Sequence, residues 1–110
     1  MKVSFGCISI TQKSKDLIRE SLNTARVSNG RLVYEFEKKF AKLVNAKEAV
    51  AVSSGTDANT LALALLYDFG AKRGDEVIVP ALSFVATGNA VLHAGFKPVF
   101  VDIDRDTLNI

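Results

Sequence analysis

The hexapeptide Ser53-Ser54-Gly55-Thr56-Asp57-Ala58 joins an apolar run, residues 49–52, to a helix-like run, residues 58–66. A helix starting there offers unpaired backbone N–H groups and the positive end of its dipole. Gly55 lets the backbone come close to a ligand, and the hydroxyls of Ser54 and Thr56 add donors. Those are the parts of a phosphate cradle. No Gly-Lys-Ser/Thr follows, so this is not a Walker A loop. No glycine stands two or five residues after Gly55, so it is not a dinucleotide fingerprint either. The plainer reading is a helix cap by Ser54 or Thr56, with Asp57 in the first turn. Asp57 opposes an anion unless its carboxylate points away.

Three other places hold groups capable of chemistry. Phe84, in Ala81-Leu82-Ser83-Phe84, puts an aromatic ring at a strand-to-helix junction, where it would stack on a planar ligand or pack as a core residue. His93 falls at the end of a helical pattern before Gly95 and reads as a structural partner of the helix C-terminus. Asp102, Asp104 and Asp106 alternate with Ile103 and Arg105, without the glycine of a calcium loop, and read as a solvated turn. No metal site is expected.

The elements that position these groups follow from periodicity. Ser14 is the expected cap of a helix over residues 15–26, with Leu17, Ile18, Leu22 and Ala25 on one face. Ser28-Asn29-Gly30 breaks that pattern. Val33, Phe36, Phe40, Leu43 and Val44 give an amphipathic helix over residues 32–44, which Asn45 ends. Residues 48–53 read as a strand. Residues 56–69 read as a helix apolar on nearly all sides and so buried, stopped by Gly70. A strand at 76–79 ends at Pro80; Ser83 caps a helix over 84–94, closed by Gly95; and 99–103 is a strand. Strands alternating with helices indicate an α/β fold: parallel strands with helices on both faces. In such sheets ligands bind beyond the carboxyl ends of the strands, where the three stretches above lie.

Composition narrows the function classes. The sequence has 110 residues, which bounds it at one domain. Its 14 Lys and Arg are scattered, and with a net charge of +2 they form no basic block for nucleic acid. Cys7 is the only cysteine, which excludes an internal disulfide and a cysteine zinc cage. The stretch after Lys2 does not read as a signal peptide, and no apolar run approaches the ~20 residues of a membrane span. A cytoplasmic protein with no membrane partner is expected.

Taken together, the stretches "FEKKFAKLVNAKEAVAVSSGTDANTLALALL" and "GDEVIVPALSFVATGNAVLHAGFKPVFVDIDRDTLNI" resemble the N-terminal part of the DegT/StrS-type sugar aminotransferases. These are fold-type-I enzymes dependent on pyridoxal 5'-phosphate (PLP). The resemblance runs from about Gly30 to Ile110 and rests on motifs in the family's order: the Phe-Glu helix, Ser-Gly-Thr-Asp-Ala, Gly-Asp-Glu-Val-Ile, Pro-x-x-Ser-Phe-x-Ala-Thr and Val-Asp-Ile-Asp. It implies a segmentation into residues 1–29, an N-terminal helical segment, and 30–110, the start of the large PLP-binding domain. The implied architecture is three-layer α/β/α with an incomplete sheet.

The resemblance also assigns roles. Gly55, Thr56 and Asp57 would lie at the PLP phosphate, through backbone N–H groups and the Thr56 hydroxyl, and Phe84 would stack on the pyridine ring. The family's Schiff-base lysine and the aspartate that pairs with the pyridinium nitrogen fall beyond residue 110. Lys72 and Lys97 sit at the amino ends of strands, the wrong edge of the sheet. The expectation is a fragment with a half-site for PLP, no catalytic residue and no activity alone. Its parent would transfer an amino group from an amino acid, glutamate, to a nucleotide-linked keto sugar, as a homodimer. The alternatives are a PLP-dependent sugar dehydratase of the same family, with histidine in place of that lysine, and a non-catalytic phosphate- or partner-binding module.

Overall fold

The computed structural model describes residues 6 and 8–110. Cys7 and Lys2, read above for disulfide and zinc chemistry and for a leader, lie outside them. The chain forms two compact units, Met1–Val50 and Ala51–Ile110.

The first unit holds α1 (Gln12–Asn23) and α2 (Arg31–Leu43). The cap of α1 is Thr11 rather than Ser14: Thr11 Oγ1 accepts the Ser14 N–H at 3.1 Å, which places Ser14 in the first turn. The expected start was three residues late because both residues are good caps, and the more N-terminal one wins by adding a turn. In α2, Phe36 and Phe40 pair with ring centroids 5.9 Å apart, as expected for neighbours four apart on one face. Asn45 follows the C-cap with a φ of 55° and ends the helix as expected. Arg31 is clamped between Glu35 at 2.7 Å and Glu20 at 3.0 Å.

The second unit holds α3 (Gly55–Ala64), a 3-10 turn (Leu65–Phe69), β1 (Glu76–Pro80), α4 (Ala86–His93) and β2 (Lys97–Val101). β1 and β2 pair in parallel, with Val79 opposite Phe100. The α/β class and the parallel pairing are as expected. The crossover helix α4 packs on the face of the sheet that Val79 presents, around a core of Val79, Val91, Ala94 and Phe96. Full burial of such side chains is worth roughly 1.5–3 kcal/mol each. On the opposite face Ile78 is 62% exposed.

Three expectations are corrected. Residues 48–53 form no strand; Val50 is largely exposed. A strand is defined by its ladder, and the sheet formed by the described residues pairs β1 with β2. The 56–69 helix changes pitch at Leu65, and none of its residues is buried. Its all-round apolar surface marks a helix made to be covered, and the described residues leave Leu61, Leu65 and Phe69 exposed. Finally, α4 begins at Ala86 after Val85, with no side-chain cap; Ser83 lies earlier.

Both glycine stops hold. Gly70 adopts a left-handed conformation. Gly95 has a φ of +87°, and a Cβ there would stand 2.9 Å from the Tyr67 hydroxyl. Tyr67 donates that hydroxyl to the Ala94 carbonyl at 2.8 Å and stacks on Phe96, with centroids 4.9 Å apart. The end of the α3 segment is thereby pinned to the end of α4.

Candidate cofactor site

The start of α3 is built by Ser54. Its backbone is extended (φ −154°, ψ 163°), and its Oγ accepts the Asp57 N–H at 3.1 Å. The Ser54 carbonyl accepts the Ala58 N–H at 3.0 Å. The same Oγ donates to Asp57 Oδ2 at 2.9 Å, and the Ser53 hydroxyl donates to that oxygen too. These bonds, the Ser53 bond first, hold the Asp57 carboxyl below the usual carboxylate range, with a smaller contribution from the charge of His93. Hydrogen bonds that favour the charged form act in this direction. Asp57 is therefore ionised at neutral pH, with one oxygen occupied by two serine hydroxyls.

What remains at this helix end is a set of donors. Among the described residues the backbone N–H groups of Gly55 and Thr56 and the Thr56 hydroxyl make no hydrogen bond. The Thr56 carbonyl is taken by the Thr60 hydroxyl at 2.9 Å. A Cβ added at Gly55 would meet nothing within 4 Å, and its φ lies outside the left-handed range. Neither packing nor backbone strain within the chain calls for glycine at a position where it disfavours helix. The open approach and three idle donors fit a phosphate group. The two readings of the hexapeptide therefore divide: Ser54 is the cap, and Thr56 is not.

Phe84 lies in the segment between β1 and α4, 77% exposed. It takes no part in the core of the described residues. The ring lines a cleft of about 300 Å³ with Pro80, Ser83, Thr87, Gly88 and Phe100. Gly88 matters to that cleft, because a Cβ there would stand 3.0 Å from Phe100 Cζ. Gly55, Thr56 and Asp57 are not in its wall, so the described residues do not bring the phosphate donors and the aromatic ring into one cleft.

The other candidates take quieter roles. His93 is the last residue of α4. Asp104 Oδ1 accepts the N–H groups of Asp106 at 3.1 Å and Thr107 at 2.8 Å, and the Thr107 hydroxyl at 2.9 Å, which closes a turn. Lys97 sits at the amino end of β2, 2.7 Å from Glu76 across the ladder. Sequence reasoning missed the grip of Ser53 on Asp57 and the bond between Ser83 Oγ and Thr87 Oγ1, 2.6 Å long. The signal for both was a hydroxyl residue four positions from its partner.

With this geometry in view, the likenesses to known proteins are informative. The chain is 48% identical over 93 residues to the spore coat polysaccharide biosynthesis protein SpsC of Bacillus subtilis, covering 84% of this chain and 23% of that one. It is 38% identical over 110 residues to the GDP-perosamine synthase of Caulobacter vibrioides, covering 99% and 29%. A solved E. coli GDP-4-keto-6-deoxy-D-mannose-3-dehydratase with bound hydrated PLP superposes with a TM-score of 0.82 at 37% identity, over 94% of this chain and 28% of that one. The chain thus spans between 23% and 29% of the length of these curated relatives. PLP is the cofactor of these structural neighbours and of the family. Residues 8–110 match the DegT/DnrJ/EryC1/StrS aminotransferase family, and the chain belongs to it.

Proposed function

We propose that this chain supplies the phosphate-binding part of the PLP site in an enzyme that transfers an amino group from an amino acid, glutamate, to a nucleotide-linked keto sugar. The observation that carries the reading is the start of α3, with its idle N–H groups at Gly55 and Thr56, the idle Thr56 hydroxyl and the open space at Gly55. Bound PLP supplies an electron sink for the reacting carbon. The chain's own residues bind and orient. Gly55 and Thr56 donate to the phosphate, while Asp57, its carboxylate held by the two serines, keeps the first turn in register. Phe84 offers an exposed ring as a platform for the pyridine.

No residue of this chain is assigned a proton-transfer or covalent role. Lys72 and Lys97 lie at the amino end of the sheet, and Lys97 is engaged by Glu76. We accordingly take residues 1–110 to be inactive alone, with 30–110 as the start of the cofactor domain and 1–29 as a helical segment before it. Homodimerisation, with Ser28-Asn29-Gly30-Arg31 near the partner's site, and a cytoplasmic location belong to the same proposal. No helix among the described residues is long and apolar enough to cross a membrane.

The likeness to the dehydratase favours a second reading, in which the same cofactor half-site serves loss of a sugar hydroxyl. The full-length protein, given a GDP-linked 4-keto sugar, glutamate and PLP, separates the two. Formation of an amino sugar with stoichiometric 2-oxoglutarate is expected, and a deoxy sugar without an amino group would overturn the first reading.

A further inference from the structure

Thr87 is tied to the Phe84 segment at two points. Its backbone N–H donates to the Phe84 carbonyl at 3.0 Å, and its Oγ1 lies 2.6 Å from the hydroxyl of Ser83, the residue before Phe84. The tie matters because little else holds the segment. α4 has no side-chain cap, its N-cap Val85 is 65% exposed, and Leu82 and Phe84 are exposed at 70% and 77%. A loop without buried side chains is held by its hydrogen bonds.

We infer that Thr87 is a positioning residue for the Phe84 ring: through the Ser83 hydroxyl and the Phe84 carbonyl it fixes the segment so that the ring meets a planar ligand already oriented. This rests on the reading of Phe84 as a platform for the PLP ring. Orientation fixed before binding removes an ordering cost from association. Because the backbone bond survives substitution, the hydroxyl is the part that can be tested alone.

The test uses the full-length apoprotein and PLP as the probe, with four variants: Thr87→Val, Thr87→Ser, Phe84→Ala and the double Thr87→Val/Phe84→Ala. The readouts are the PLP dissociation constant and the induced circular dichroism of the cofactor band, which reports ring orientation. Loss of one neutral hydrogen bond predicts a rise of about three- to tenfold in the dissociation constant for Thr87→Val. A changed dichroic band should accompany it, and Thr87→Ser should restore both. In the Phe84→Ala background Thr87→Val should add nothing, since the group it positions is gone. An equal effect of Thr87→Val in both backgrounds would mean direct contact with the cofactor and overturn the inference, as would no effect in either. If Phe84→Ala itself leaves affinity and dichroism unchanged, the platform reading fails first, and the inference with it. Should Thr87→Val lower the apoprotein melting temperature, the dichroic band of the PLP-saturated protein, with rescue by Thr87→Ser, still decides.

Discussion

Ser54 grips Asp57 at both ends: its Oγ accepts the Asp57 backbone N–H at 3.1 Å and donates to the Asp57 carboxylate at 2.9 Å. One side chain thereby caps α3 and holds the nearest negative charge in place. The grip leaves Thr56 uncommitted, one position before Asp57. Ser54 thus does the capping, and the cradle proposed for the phosphate falls to different residues, Gly55 and Thr56.

Ser54→Ala removes the cap and should destabilise the apoprotein by about 1 kcal/mol, the usual scale of a lost N-cap. Urea unfolding measures this. A variant as stable as the parent would show that the cap bond contributes nothing in solution.

The hydroxyl bonds to Asp57 predict a titration. Its folded-state pKa lies below the ordinary 3.8. The stability these bonds contribute is therefore fully present above pH ~4, and it is lost as pH falls through the lower folded value. Ser53→Ala should raise the Asp57 pKa towards 3.8 more than Ser54→Ala does, because the Ser53 bond is the larger cause. NMR titration of the side-chain carboxyl carbon reads both, and the reverse order would contradict the geometry.

Gly95→Ala places a Cβ 2.9 Å from the Tyr67 hydroxyl in a backbone conformation with a φ of +87°. The left-handed penalty alone is roughly 1–2 kcal/mol. Thermal unfolding should show a loss of at least that size. Tyr67→Phe, which gives up only the bond to the Ala94 carbonyl, should cost about 1 kcal/mol.

The parts of the fold legible in the sequence are those whose signals are local. Asn45, Gly70 and Gly95 marked helix ends because the chain turns there through positive φ. The apolar runs of β1 and β2 were readable because each finds its partner within this chain, although β2 is Lys97–Val101 and so lies two residues before the expected 99–103. Residues 48–53 carry an equally good strand signal and form no strand, since an apolar run marks strand preference and not the ladder that defines a strand. For the site, the helix start at Gly55 and its cap by Ser54 were legible from the hydroxyl residues before an apolar helical run. The exposure of Phe84 was not, because composition favours a buried ring and nothing local says which faces of a sheet go uncovered. The hold of Ser53 on Asp57 escaped notice because a capping pattern predicts one serine, not two.

The central claim is that α3 begins as a phosphate site, and Thr56→Val tests it most directly. The substitution keeps shape and removes one idle hydroxyl at a residue that is not the cap. A hydrogen bond to a charged group is worth roughly 1.5–3 kcal/mol, so titration of full-length apoprotein with PLP should show a dissociation constant raised about ten- to a hundredfold. The apoprotein melting temperature should stay nearly constant. An unchanged dissociation constant, or a lowered melting temperature with unchanged affinity, would contradict the account and leave Thr56 a structural residue of the first turn.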